Sequence, residues 1–216
     1  MRPDKTGRPD KTGLDWPACR NARDLGGLPT VDGAVTRSGV LFRADGLFRL
    51  TPAGVTAIRA AGITRILDLR WPWECERHPS PFAGDPAYMH VPLLEDELSY
   101  DPPHDTYGPM LDHNGDRIAR AFCALATAPP GGVLIHCHGG RDRTGGLVAL
   151  ALAVAGVTEE AIIADYGRSP DTSPAAMART LAHVDVLYGG PEPYLHQIGV
   201  PPKAIDAVRN RLRRPH

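Results

Sequence analysis

Apolar and polar residues alternate along this chain in short blocks whose period switches between strand-like and helix-like. Ile63 to Leu69 (ITRILDL) alternates and carries β-branched residues, so it predicts a strand. Gly39 to Ala44 (GVLFRA) predicts a second, and Tyr88 to Leu93, where Met89 and Val91 alternate with polar neighbours before Pro92, a third. Val133 to His136 (VLIH) predicts a short strand buried on both faces. Helical blocks lie between them. Thr51-Pro52 supplies an N-cap and a first-turn proline for a helix that runs to Ala61 and stops at Gly62. Arg117 to Ala128 predicts a helix broken by Pro129-Pro130-Gly131-Gly132, and Thr144 to Ala155 a buried one. Thr158 caps a helix to about Tyr166. From Ser173 onward the pattern gives two or three short helices, divided by Gly189-Gly190-Pro191 and Pro201-Pro202. Residues 96–115, rich in Asp, Pro and Gly, read as a long surface loop of the kind that often carries function. Strands alternating with helices define a single α/β domain with a short, largely parallel central sheet flanked by helices.

Residues 2–7 (RPDKTG) repeat at once as 8–13. Six polar residues cannot bury a face, so residues 1–13 are expected to be a disordered leader and residues 14–216 the folded domain.

Composition narrows the function classes. Of 216 residues, 42% are hydrophobic and 23% charged, which excludes a disordered polyampholyte. The net charge of -1 argues against a chain that coats nucleic acid or an acidic membrane. The longest apolar stretch, Leu147 to Val157, has eleven residues, short of the roughly 20 that span a bilayer. No apolar core follows the N-terminal charges, which favours a cytoplasmic location and leaves non-classical secretion open. The four cysteines, Cys19, Cys75, Cys123 and Cys137, show no C-x-x-C spacing and are too sparse for a disulfide-stapled fold.

Chemistry concentrates at residues 136–145, His-Cys-His-Gly-Gly-Arg-Asp-Arg-Thr-Gly, between an apolar strand and an apolar helix. Ligands of open α/β sheets bind at the carboxyl ends of strands. The helix start offers free N–H groups, and Gly139 and Gly140 let the backbone curl into an anion nest. Arg141 and Arg143 add forked guanidinium groups. A thiol attacks only as thiolate, and the surroundings that hold a phosphate dianion favour thiolate at Cys137. Three other readings are weaker. A cysteine after an apolar strand is often a small buried hydrophobe, but this one is flanked by His, Gly and Arg. A Walker loop has its glycine spacing at Gly140 and Gly145 but Gly146 where lysine is needed. A metal pair at His136 and His138 lacks further ligands and has arginines beside it.

His136-Cys137-His138-Gly139-Gly140-Arg141-Asp142-Arg143-Thr144 resembles the H-C-x-x-G-x-x-R-T signature of cysteine-dependent protein tyrosine phosphatases. More narrowly, it is similar to the bacterial tyrosine/dual-specificity group related to the mycobacterial phosphatase B, whose signature reads H-C-x-x-G-K-D-R-T-G. Asn21-Ala22-Arg23-Asp24-Leu25-Gly26-Gly27, Leu41-Phe42-Arg43-Ala44-Asp45, Leu50-Thr51-Pro52, Asp68-Leu69-Arg70 and Ala164-Asp165-Tyr166 resemble further stretches of that group. The likeness spans about residues 16–212. Arg141 replaces the group's lysine, and the long helical insertion that some relatives use as a lid is missing.

The resemblance implies a phosphomonoester hydrolase with Cys137 as nucleophile, a phosphocysteine intermediate, and Arg143 with the N–H groups of residues 138–143 around the phosphate. His138, Gly139, Gly140, Arg141, Asp142 and Arg143 would form the phosphate loop. His136 would orient it, and Thr144 would aid thiolate departure. Asp142 is favoured as general acid, Asp96 is its rival and Asp68 the third candidate; Asp68 and Asp45 read better as structural carboxylates beside arginine. Trp71 and Trp73 read as loop packing in preference to stacking on a substrate ring, and Cys75 and Cys123 as ordinary buried residues. Arg209 to Arg214 read as a solvated helix end, while Tyr100 and Tyr107 lie where substrate contact is open. No metal and no cofactor is implied. The expected partner is a phosphorylated protein, a phosphoinositide or a small phosphate ester, with neither nucleic acid nor stable membrane insertion. A phosphate-binding pseudoenzyme and a rhodanese-like sulfurtransferase are the competing classes.

Overall fold

The computed structural model describes residues 14 and 16–213; the expected leader 1–13 and Arg214 lie outside them. Five strands form one sheet in the order β1-β2-β5-β3-β4. They are β1 (Arg23–Asp24), β2 (Leu41–Ala44), β3 (Ile63–Asp68), β4 (Tyr88–His90) and β5 (Gly132–His136). β1 runs antiparallel to β2, and every other pairing is parallel.

Alternation along the strands builds two cores. Leu41, Leu67, Val133 and Ile135 face one side, where they meet the helices α4 (Gly115–Ala126) and α5 (Asp142–Val154), and α7 (Pro174–Tyr188) adds Met177, Leu181 and Val184 to the same core from the far side of the helical layer. The alternate residues Phe42, Ile66 and Leu134 face a smaller cluster with Trp16, Leu47, Phe82 and Ile58, the last from α1 (Pro52–Ala60). α5 is buried along most of its length, which explains why its sequence shows no polar face. Around it pack α6 (Glu159–Gly167), α8 (Pro191–Gln197) and α9 (Pro202–Leu212).

The predicted starts hold where side-chain chemistry sets them. Thr51 and Thr158 both cap their helices, accepting from Gly54 N and Ala161 N. The breaks at Gly189-Gly190 and Pro201-Pro202 divide the last three helices as expected, with Gly189 in the left-handed region at φ 78°.

Other expectations need correction. The strand from Tyr88 ends at His90. The expected loop 96–115 contains a short helix, α3 (Gly108–His113), held by burial of Met110 and Leu111. Trp71-Pro72-Trp73 is not simple loop: it opens α2 (Pro72–Arg77), with Pro72 in the first turn and Glu74 accepting from Trp71 N at 2.8 Å. Cys75 and Cys123 are half-buried, not buried. Arg209 and Arg211 are engaged: Arg209 pairs with Glu192 and Asp206, and Arg211 donates to the carbonyls of Ala128, Pro129 and Gly131. No helix among the described residues is long and apolar enough to cross a membrane.

Sheet order positions the site. β5 is central, and Ala44 and Asp68 lie in register with its last residue, His136. The three parallel strands therefore end together, and the chain leaving β5 turns over their carboxyl ends into α5.

Candidate active site

The turn from β5 to α5 is shaped by where its carbonyls go. His138 O accepts from Gly46 N at 2.9 Å. Asn21 Nδ2 donates to Gly139 O at 3.2 Å and to Gly140 O at 3.0 Å. Arg43 Nη2 also donates to Gly140 O, at 2.7 Å. Three successive carbonyls are thus tied outward to the body of the domain. In a trans peptide the N–H points opposite to the C=O. The N–H groups of Gly139, Gly140 and Arg141 therefore face the other way, into the hollow of the loop. The first turn of α5 adds its own unpaired N–H groups. Gly140 makes the path feasible: its φ is +66°, and a Cβ there would lie 2.3 Å from Ala44 O.

Cys137 lies at the root of this cradle, 2% exposed. Thr144 is fully buried, and its Oγ1 has no partner among the described residues. Arg143 is gripped by Glu74, with Nη1 to Oε2 at 2.5 Å and Nη2 to Oε1 at 3.1 Å. Its guanidinium lies 4.5 Å from the centre of the Trp71 ring. Burial works to lower the Arg143 pKa, but the charges of Cys137 and Glu74 outweigh it and the net shift is upward. Conversely, burial raises Glu74 while Arg143's hydrogen bonds and charge hold it below the ordinary carboxylate range. Glu74 Oε1 also lies 3.4 Å from His138 Nδ1, and the His138 ring rests on Phe48 at the rim.

Asp142 opens α5 and accepts on Oδ1 from Tyr107 Oη at 2.8 Å and Tyr166 Oη at 3.1 Å. Arg141 is partly exposed and 3.6 Å from Asp171, a contact of small energetic weight.

Buried charges sit behind the loop. Asp165 accepts from Arg23 Nε at 2.6 Å and Arg43 Nη1 at 2.7 Å, all three side chains enclosed. Asp45 accepts from Cys19 Sγ and from the N–H groups of Arg20 and Asn21, so its partners are not arginines. Asp68 is enclosed and bound to Arg70 Nε and Nη2 and to Tyr88 Oη, which leaves it no path to a substrate oxygen. Asp96 is exposed on the connection between β4 and α3. His136 is completely buried, with Nε2 3.6 Å from Asp68 Oδ2.

In front of the loop lies a cavity of about 660 Å³. Arg141, Asp142 and Arg143 lie on one side, and Trp71, Leu94, Leu98, Tyr100, Tyr107 and Met110 among its other lining residues. The size and apolar walls suit a small aromatic or aliphatic group carrying an anion. Trp71 thus both packs, its Nε1 donating to Glu95 O at 2.7 Å, and lines the cavity. Sequence reasoning misses Glu74 and the part played by Tyr166, and reads Tyr107 only as open to substrate contact. Asn21, Arg43, Asp165 and Tyr166 stood in the stretches shared with the phosphatase group, the one signal that could have flagged them.

A thiol at the floor of an N–H cradle, beside a clamped arginine, at the carboxyl end of a central parallel strand, defines a cysteine-dependent phosphatase fold. The chain belongs to the tyrosine phosphatase family, which matches residues 14–214. It is 31% identical to the triple specificity protein phosphatase PtpB of Mycobacterium tuberculosis over 204 aligned positions, 76% of this chain and 72% of that protein. It is 28% identical to a tyrosine-protein phosphatase of Nostoc commune, covering 79% and 73%. A Cupriavidus necator protein is 30% identical over 167 positions, and there the match spans 61% of the relative's length.

Proposed function

We propose that this chain hydrolyses phosphate monoesters through a phosphocysteine, acting on phosphotyrosine with dual or broad specificity. The observation that carries the reading is the outward tethering of the His138, Gly139 and Gly140 carbonyls, which turns the next N–H groups into the hollow of the loop that starts at Cys137. Such an array, with Arg143, suits the equatorial oxygens of a phosphoryl group in its transition state.

In the first step Cys137 Sγ forms a bond to phosphorus as the ester P–O bond breaks. A proton passes from the Asp142 carboxyl to the departing oxygen. Water then attacks phosphorus, the S–P bond breaks, and the proton from water returns to Asp142. Thr144, buried with an unpartnered hydroxyl, donates to the leaving thiolate. Asp142 is preferred as acid because it lines the cavity, whereas Asp68 is locked to Arg70. The triple specificity in PtpB's name extends the substrate panel beyond phosphotyrosine to phosphoserine and phosphothreonine, and phosphoinositides join it because the phosphate loop alone does not select the alcohol. Residues 14–216 are the catalytic domain in this reading, and its place of action is the cytoplasm.

The test is phosphate release from p-nitrophenyl phosphate between pH 5 and 8 in EDTA, for wild type and Cys137→Ser. Turnover that disappears in the variant supports the reading. Turnover that survives it, or no turnover on aryl phosphates and phosphoinositides alike, overturns it.

A further inference from the structure

We propose that Tyr107 and Tyr166 are positioning residues that aim the Asp142 carboxyl at the leaving group; the inference rests on the phosphatase reading above. Both phenols converge on the same atom, Asp142 Oδ1. Their hydroxyl oxygens also touch each other; with one proton each, one phenol donates to Oδ1 and the other donates either to Oδ1 or to its neighbour's oxygen. No described residue donates to Asp142 Oδ2. The two oxygens of one carboxyl are thereby made unequal. Oδ1 is fixed by the protein, and Oδ2 is left to carry the proton and hand it to the ester oxygen as the P–O bond breaks.

Each phenol is itself held. Tyr166 is 1% exposed on α6, and its ring fills the space over Gly145, where a Cβ would come within 2.8 Å of Tyr166 Cδ2. The Thr-Gly that closes the signature is therefore also a seat for this ring. Tyr107 stands just before α3, and its backbone N–H donates to Thr180 Oγ1 on α7 at 2.8 Å. The rings meet edge to face with centroids 5.7 Å apart. Burial, with the adjacent Asp142 charge, pushes the Tyr107 phenol up to about 12, and burial pushes Tyr166 upward too. Both therefore stay protonated and act as donors at neutral pH. A carboxyl on the first turn of a helix can rotate about χ1 and χ2; a fixed pair of phenols converging on one oxygen removes that freedom before substrate arrives.

A general acid matters most when the leaving group is poor. The experiment measures kcat/KM for a series of aryl phosphates, from p-nitrophenyl through phenyl, with Tyr107→Phe, Tyr166→Phe, Asp142→Asn and each Tyr→Phe combined with Asp142→Asn. The inference expects each Tyr→Phe variant to lose about tenfold on phenyl phosphate but under threefold on p-nitrophenyl phosphate. It also expects no further loss when either change is added to Asp142→Asn. A loss equal across leaving groups, or one that adds fully to that of Asp142→Asn, overturns it. If Asp142→Asn steepens the leaving-group dependence and the tyrosine variants do not, this inference fails while the phosphatase reading stands. If Asp142→Asn itself leaves that dependence unchanged, Asp142 is not the acid and the inference fails with that assignment. Melting temperature and circular dichroism of each variant separate misfolding from mispositioning.

Discussion

Glu74 and Arg143 meet fork to fork, Nη1 on Oε2 at 2.5 Å and Nη2 on Oε1 at 3.1 Å, with the Trp71 ring beneath the guanidinium. The pair joins α2 to the first turn of α5. It fixes the plane of Arg143 and leaves Nε and the remaining Nη protons for an anion. Glu74 reaches this position because its other duty, accepting from Trp71 N, anchors it in the first turn of α2.

Glu74→Gln keeps the shape but removes the charge and one of the two acceptors. We expect kcat/KM for p-nitrophenyl phosphate to fall about tenfold, ~1.4 kcal/mol of transition-state stabilisation. Vanadate takes the five-coordinate geometry of the transition state and uses the same Arg143 contacts, so its inhibition constant should rise by a comparable factor. Steady-state kinetics with vanadate titration checks both. Unchanged kcat/KM would show that Arg143 needs no clamp.

The two glycines of the loop should behave differently. At Gly140, φ is +66° and an added Cβ would strike the backbone of Ala44 and Asp45 at 2.3 and 2.7 Å. At Gly139 the nearest obstacle is Arg141 Nε at 3.1 Å, on a flexible side chain. Gly140→Ala is therefore expected to lose about a hundredfold or more in activity and to lower the melting temperature, because the loop must leave β2. Gly139→Ala should cost no more than about 1 kcal/mol of stability. Calorimetry and turnover on the two variants would show it, and equal tolerance would contradict the geometry.

The contrast between Gly140 and Glu74 also explains what the sequence discloses. Cys137 to Thr144 are contiguous, so their chemistry could be read from spacing alone. The strands were legible because neighbours such as Ile66 and Leu67, or Leu134 and Ile135, face different cores, which makes a short run apolar on both faces. Glu74 lies 69 positions from Arg143, and Tyr107 35 from Asp142. Nothing local marks such partners; they meet only because β3 and β5 pair and the helices pack behind them. α3 was hidden for another reason: its six residues follow a stretch of Pro and Asp, and burial of Met110 and Leu111, not propensity, holds it.

Asp165 holds two buried arginines, Arg23 and Arg43, and Arg43 in turn ties Gly140 O. Burial raises the Asp165 carboxyl, but the Arg43 and Arg23 charges outweigh it and the net is downward. Asp165→Ala would leave two enclosed guanidinium groups without a counter-charge, a loss of about 3–5 kcal/mol. For a domain of this size each kcal/mol is worth about 2–4 °C. We expect a fall in melting temperature of roughly 6–20 °C by these factors, with weaker phosphate binding at temperatures where the variant is still folded. A melting temperature within 2 °C or so of wild type would refute the structural weight given to this cluster.

Asp68 and His136 together set how the fold meets acid. Burial raises the Asp68 carboxyl, but the charges of His136 and Arg70 and the Arg70 hydrogen bonds outweigh it, so it lies well below the ordinary range. Burial depresses the His136 imidazole. Its ring is thus uncharged in neutral solution, where Arg70 is the partner that counts for Asp68. In both cases the unfolded chain takes up a proton at higher pH than the folded chain does, so stability rises with pH between the two values. His136 opens that interval below about pH 6.5 and Asp68 extends it below about pH 4, the ordinary values of these groups. Each contribution is whole above those limits and is lost as the pH falls toward the folded group's own value. The urea midpoint should be level from pH 8 to 7, decline below pH 6.5 or so, and drop faster under about pH 4. Asp68→Asn, less stable at neutral pH because Arg70 loses its counter-charge, should show a shallower acid portion, the remainder coming from Asp165 and Glu74, whose carboxyls are also held low. A wild-type midpoint that stays level down to about pH 4 would remove His136 from the account, and an unchanged acid slope in Asp68→Asn would remove Asp68.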